Sequence, residues 1–481
     1  MKKILFCLFY LLSGVQAFAQ EPPNATLPPN ANSFNYGHCL EEVHFGGTYG
    51  TNYLEIRKDD NSGDYQSPQF KKNYPINCLA SDGTITRQSP VAYVSGTKAS
   101  VKAIFQSDCE SSYYIRGLGP NVNGNQVIFS KQEVTPESGY VVYEFTEANI
   151  SFKDGEVYYW EDFTISWEIS ETGEDDSWIY IDESKNPLYV TRSQPEMPSG
   201  QLGYAWFHTL FKVSCKNATT LSDQNEIIDA IWNKLKTKSV IAADNNQPLK
   251  YYSDWLGCGN SFTTESLLAL NDGQCGSWAR FFIDLLKIQN ITHASVEDDF
   301  YHFSSDLGPG SGFFVKDWTA TTGVLSNGNP TFKYTIIPKQ SPSQNWFLDD
   351  FMANNKYNFH YSDLEDNFNT IGGQGPTNNP QSIFSNHQIT QINDALKDPS
   401  YGTDFLSLDD IENKALFGYF IIVESNFDET NLLYDFDGDG QGDDLNGNGI
   451  IESSAAVQLI LVTTDKSVSS LIRTPNSPTN H

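Results

Sequence analysis

Residues 271–287 read NDGQCGSWARFFIDLLK, and few local conformations are open to such a run. Asn271, Asp272 and Gly273 make a polar turn, and Gln274 follows. From Cys275 onward, Trp278, Phe281, Phe282, Leu285 and Leu286 recur at three- and four-residue steps, the period of one buried helix face. The spacing predicts a helix that begins at Cys275, ends near Asn290 and needs a large apolar surface to pack on. It also sets Cys275 at the first helical turn, where unpaired backbone N–H groups and the helix dipole favour a thiolate over a thiol. A cysteine so placed is a candidate nucleophile; the competing readings are half of a disulfide or a small buried hydrophobe.

The chain before this helix alternates. Val101, Ala103 and Phe105 are spaced by polar neighbours, as are Val141, Tyr143 and Phe145; Phe163, Ile165, Trp167 and Ile169 give the clearest period of two. Polar turns such as Asp154-Gly155 separate these runs, so residues 37–195 read as an antiparallel all-β sandwich of Ig-like type. This sandwich shows no chemistry of its own and reads as a spacer, with exposed aromatics for carbohydrate or surface binding as the alternative. The prolines and glycine of 192–200 (RSQPEMPSG) mark a boundary, and 200–470 reads as a second, α+β domain. Within it, 207–215 looks strand-like. A helix then starts at Ser222 or Asp223, with Ile227, Ile231 and Leu235 on one face. A short helix spans 264–270, and 291–296 reads as a strand. Residues 371–380 (IGGQGPTNNP) form a glycine- and asparagine-rich loop of the sort that shapes or covers a site. The apolar runs 418–423 and 457–462 suit a long hairpin, and 471–481 reads as a polar tail.

Lys2 and Lys3, the apolar run 4–12 and the small-residue site Ala17-Phe18-Ala19 read as a signal peptide over 1–19, followed by a flexible Pro- and Asn-rich lead-in over 20–36. The expected location is therefore secreted or periplasmic, and no later apolar run is long enough to span a bilayer. A net charge of −30 argues against nucleic acid or anionic lipid as partner and suits calcium. Of seven cysteines, Cys7 lies in the signal peptide. The other six are Cys39, Cys78, Cys109, Cys215, Cys258 and Cys275, which in an oxidising compartment would by default form three disulfides. Cys215–Cys258 is one plausible pair. A free Cys275 would leave at least one further cysteine unpaired.

Gly273-Gln274-Cys275, followed by Trp278-Ala279 and an apolar helix, resembles the nucleophile segment of the transglutaminase-like superfamily, whose core is shared with papain-like cysteine proteases. The resemblance covers about 222–401. It implies a helix-borne cysteine packed on an antiparallel sheet, a histidine on that sheet and an aspartate on the neighbouring strand. The matching positions are His387, in FSNHQIT, and Asp398, in LKDPSYG; His302 and His360 are rivals for the histidine. The step from His387 to Asp398 suits two adjacent antiparallel strands joined by a turn at Asn393-Asp394. Two departures bear on the substrate site: an unusually long gap between Cys275 and His387, and no aromatic directly after His387. The chemistry implied is thiol attack on an amide or peptide carbonyl of a protein or peptide substrate, a thioester, and transfer to water or an amine. Hydrolysis, by a protease or amidase, is favoured over cross-linking. The backbone N–H of Cys275 is the natural first oxyanion donor, with the second unassigned. The rival is a non-catalytic surface protein, binding carbohydrate or protein, that keeps the fold. No organic cofactor is called for.

Residues 435–452 read DFDGDGQGDDLNGNGIIE. Asp435, Asp437 and Asp439 place oxygens at alternate positions before Gly440, as in the first half of an EF-hand-type loop, with Asp443 as a ninth-position ligand. Asn446 stands where the bidentate glutamate would be. A second frame runs through Asp444, Asn446, Asn448 and Glu452. The run resembles thrombospondin-type or dockerin-like calcium sequences and predicts structural Ca2+ at a hairpin tip, since so many carboxylates without a cation repel one another.

Overall fold

Alternation along the chain becomes alternation of burial. In the computed structural model, Ser100–Ser107 turns every second side chain into the core, and Phe163, Ile165, Trp167 and Ile169 are all buried. The structure describes residues 37–47, 53–74, 83–196, 206–251, 263–291 and 395–424. It also describes the shorter segments 300–305, 311–315, 318–320, 333–338, 364–366, 373–375, 383–384, 386–392, 457–463 and 471–474. The expected signal peptide, the lead-in, the turn 393–394, His360 and the whole acidic run 435–452 lie outside the described residues.

Two sheets make the N-terminal region. One has five strands in the order Tyr140–Glu147, Ser100–Ser107, His38–Gly46, Phe70–Asn73, Thr84–Gln88, all antiparallel. The other has six, in the order Tyr53–Leu54, Val91–Val94, Ile179–Thr191, Tyr158–Ser170, Tyr113–Val122, Asn125–Val134. Its one parallel pair joins Ile179–Thr191 to Val91–Val94. Phe105 and Tyr143 of the first sheet meet Trp167 of the second edge to face at 5.5 and 5.4 Å, so both sheets share one core. Phe145 departs from the expected alternation and is 53% exposed. The register of its strand slips between Tyr143 and Thr146, and such a bulge turns the following side chain to the other face.

Five helices are described: α1 (His208–Asn217), α2 (Gln224–Lys236), α3 (Thr264–Leu270), α4 (Cys275–Ile288) and α5 (Leu408–Lys414). Asp223 caps α2 by accepting from the N–H groups of Asn225 and Glu226. The strand expected over 207–215 is corrected: only Trp206–Phe207 is strand, and α1 follows at once. Nearly every side chain of α1 is buried, and a short run buried all round carries no period that separates helix from strand.

The core around α1, α2 and α4 also takes in Leu54, Ile56, Ala92 and Tyr189 from the N-terminal strands. The proline-rich boundary is tied down as well: Arg192 N–H donates to Gln289 Oε1 at 2.8 Å and Glu196 N–H to the Lys287 carbonyl at 3.1 Å. A polar lock reinforces this junction. His208 binds Asp244 Oδ1 through Nδ1 at 2.6 Å and the Tyr189 hydroxyl through Nε2 at 2.8 Å. Tyr65 donates to the same carboxylate oxygen at 2.6 Å, and Asp59 accepts from both the N–H and the hydroxyl of Thr209.

Two further antiparallel five-stranded sheets follow. One runs Thr403–Phe405, Ala395–Asp398, Asn386–Ile392, Phe300–Ser305, Leu471–Thr474. The other runs Lys333–Pro338, Val457–Thr463, Leu416–Glu424, Ser311–Val315, Ile383–Phe384, so the runs near 418–423 and 457–462 pair antiparallel. Leu471–Thr474, expected to begin a tail, is instead an edge strand paired with Phe300–Ser305; four residues are too few to show a period. Among the described residues, no helix is long and apolar enough to cross a membrane.

Candidate active site

Cys275 is presented by a sharp change of direction. Helix α3 ends at Asn271 in the left-handed region, φ 55°, a conformation asparagine tolerates better than most residues. Asp272–Gly273 then pairs in parallel with Lys250–Tyr251, Gln274 is the extended cap residue, and α4 starts at Cys275. A Cβ on Gly273 would lie 3.0 Å from both Leu267 Cδ1 and Ser277 Cβ, so this close turn suits glycine. Trp278 ties α4 back, its indole N–H donating to the Lys250 carbonyl at 3.1 Å. No acidic side chain occupies the first turn of α4, so nothing there offsets the positive end of the helix dipole beside the sulfur.

Helix α4 packs on the His387 strand. Ile389, two residues on and on the same face, is fully buried in the same core as Trp278 and Phe282. His387 opens that strand, and Asp398 closes the next one, the two pairing antiparallel through Thr390 and Lys397. His387 Nε2 lies 2.9 Å from Asp398 Oδ2, and the Cys275 sulfur is close enough to the ring to raise its basicity. With Nε2 on the carboxylate, Nδ1 is the nitrogen left to serve the sulfur. The three residues are 6%, 4% and 4% exposed for Cys275, His387 and Asp398. Burial works against the imidazolium, but the Asp398 carboxylate and the Cys275 sulfur outweigh it and raise the imidazole to about 10. Asp398 is itself held by the turn that follows, Oδ1 accepting from the N–H groups of Ser400 at 3.0 Å and Tyr401 at 3.4 Å. Of the rival histidines, His302 is placed one strand over, its backbone opposite Gln388.

Three residues not singled out by sequence reasoning complete the surroundings. Tyr401 packs on His387 with ring centroids 6.0 Å apart and meets Tyr251 edge to face at 5.2 Å. Burial, then the Asp398 charge, hold its phenol protonated, well above the usual range, with the neighbouring Tyr251 working the other way. Gln374, fully buried, threads beneath the aspartate turn. Its amide donates to the Pro399 carbonyl at 2.8 Å and the Leu235 carbonyl at 2.7 Å, its backbone N–H donates to Ser400 O, and its carbonyl accepts from Tyr251 N–H. Gly375 beside it has φ +72°, and a Cβ there would sit 2.7 Å from the Leu249 carbonyl oxygen. The glycine-rich loop therefore straps the aspartate turn to the segment leading to the cysteine. The signal was the GGQG run itself, read only as a loop.

The cysteine count resolves in part. Cys39 is in a disulfide, whereas Cys109, Cys215 and Cys275 are free thiols. The pairing expected between Cys215 and Cys258 is thus corrected. Cys215 is enclosed beneath Val190, and burial pushes its thiol up to about 12, which leaves it inert at neutral pH. Among the described residues, no group of three or more His, Cys, Asp or Glu is arranged to hold a metal ion. Set against known protein families, curated proteins and solved structures, the chain matches none of them.

Proposed function

We propose that this chain is an exported cysteine enzyme of transglutaminase-like type, with an Ig-like sandwich before an α+β catalytic domain. It would act on amide or peptide carbonyls of a protein or peptide substrate. The observation that supports this reading is the meeting of Cys275, His387 and Asp398 in one buried cluster, the last two hydrogen-bonded, from residues far apart in sequence. In the reaction, the Cys275 sulfur attacks the carbonyl carbon, and the resulting oxyanion is stabilised by the Cys275 N–H at the start of α4. The C–N bond breaks as the His387 imidazolium gives its proton to the leaving amine. The neutral imidazole then takes a proton from water, whose oxygen attacks the thioester, releasing the acid and restoring the thiol. Asp398 holds the ring's orientation and stabilises its charged form. Hydrolysis is favoured over amine transfer, since it needs only that water reach the thioester, whereas cross-linking also needs a water-excluding site that admits an amine. The acidic run 435–452 is proposed to bind structural Ca2+ on its ligand spacing alone.

The test is the rate of Cys275 alkylation against pH in the parent and in His387→Ala. Rapid labelling that persists below pH 7 in the parent and is lost in the variant supports the nucleophile. An ordinary thiol profile unaffected by the substitution overturns it and favours the non-catalytic binding protein.

A further inference from the structure

A cavity of about 370 Å3 is walled in part by the histidine–aspartate pair. Its walls come from the His387 and Asp398 strands, from α5, and from the neighbouring sheet at Phe313 and Leu416. Phe313, Phe405, Ile411, Ala415 and Leu416 supply an apolar lining. The lining charges are compensated: Lys236 pairs with Asp404, which Lys397 also engages from outside the lining, and Lys414 pairs with Asp410 at 2.7 Å. Asp398 is committed to His387 and to two backbone N–H groups. A concave apolar site of this size with a few convergent polar groups is what small-ligand subsites look like. It offers an occupant no uncompensated charge, so a charged group entering it would lose hydration without recompense.

The cavity shares a wall with the candidate site. His387, Asp398 and Tyr401 all line it, and His387 is the ring whose basicity the nearby Cys275 sulfur raises. A group seated against that wall lies beside the imidazole. We propose that this cavity is the specificity subsite of the enzyme and takes a large, uncharged apolar side chain, aromatic or branched aliphatic, flanking the amide under attack. The inference rests on the nucleophile reading above for its role in turnover, while binding of an apolar group to the cavity stands apart from it.

Two measurements separate these. The first is binding of indole to the folded Cys275→Ala protein, followed by saturation-transfer NMR. Saturable binding that weakens at least tenfold on adding Ala415→Trp, or Ile411→Phe if that variant does not fold, supports the subsite. Absence of saturable binding, or binding indifferent to filling the cavity, overturns it. The second is the alkylation rate of Cys275 in the parent by two neutral haloketones, one bearing a benzyl group and one a methyl. The expected ratio is at least tenfold in favour of benzyl, collapsing towards unity in Ala415→Trp. A ratio near unity in a parent whose Cys275 labels rapidly below pH 7 overturns the subsite and leaves the nucleophile standing. Failure of Cys275 to label rapidly with either reagent overturns the nucleophile, and the indole measurement then decides the cavity alone.

Discussion

Two of the histidine–carboxylate pairs among the described residues differ in what stands beside the ring's other nitrogen. At the junction of the strands and helices, His208 spans from Asp244 to the hydroxyl of Tyr189. In the later sheet, His387 spans from Asp398 to the thiol of Cys275. Burial holds the Tyr189 phenol well above its usual range, so it gives up no proton to an imidazole at neutral pH, whereas a helix N-terminus is a setting that favours a thiolate. The first pair is therefore a lock and the second the proposed reactive centre, although each is a direct imidazole–carboxylate contact, at 2.6 and 2.9 Å. The third partner decides, more than the pair itself.

The largest expected effect breaks the second pair. His387→Ala should slow Cys275 alkylation at pH 6.5 by about 100-fold, the loss expected when a fully ionised thiolate reverts to an ordinary thiol of pKa near 8.5. His208→Ala should leave the labelling rate within about twofold while costing about 2–4 kcal/mol of stability, because Asp244 and Tyr189 lose a buried partner. Thermal melts with labelling rates on both variants check the contrast; a collapse of labelling in His208→Ala would abolish it.

A third buried carboxylate sharpens the comparison, since it has neither kind of partner. Asp284, on α4, accepts from the Thr264 hydroxyl at 2.6 Å, and burial raises it to about 6. A raised carboxyl makes the native state bind its proton more tightly than the unfolded chain does. Stability therefore falls as pH rises through 6. Asp284→Asn should relieve this by up to about 3 kcal/mol above pH 7 and change little at pH 4. His387 has the same sign in a higher window: its pair stabilises fully below 6.5, and the contribution fades as pH climbs towards 10. Melting temperature against pH for the parent, Asp284→Asn and His387→Ala separates the two windows, the first fall being lost in Asp284→Asn and the second in His387→Ala.

The smallest effect concerns the strap. Gln374→Leu removes two donors from the turn that carries Asp398, and roughly a threefold to tenfold fall in labelling at pH 6.5 is expected, with the pH profile moving towards that of a free thiol. A lower melting temperature with an unmoved profile would make Gln374 packing alone.

Much of this was legible in the residues because it was periodic. The Phe163–Trp167 alternation and the α2 stripe of Ile227, Ile231 and Leu235 each bury as spaced. The helix start at Cys275 was readable from its polar turn and apolar period. What stayed hidden had no period to show. Helix α1 is apolar on every side, and Leu471–Thr474 is too short. The His208 lock joins residues from four separate stretches, and Gln374 acts through contacts to Leu235 and Pro399 that no local pattern announces. His387 and Asp398 were found only through a resemblance; spacing by itself left His302 and His360 beside them.

The edge strand at residues 471–474 has a consequence for timing. It pairs with Phe300–Ser305, which in turn pairs with the strand bearing His387. The N-terminal sheets close on themselves early, and domains form in the order in which chain emerges during synthesis. The sheet that holds His387 is therefore complete only once residue 474 has been made. On the proposed function, a chain cut short before residue 471 would carry Cys275 with the strand of its base lacking that support.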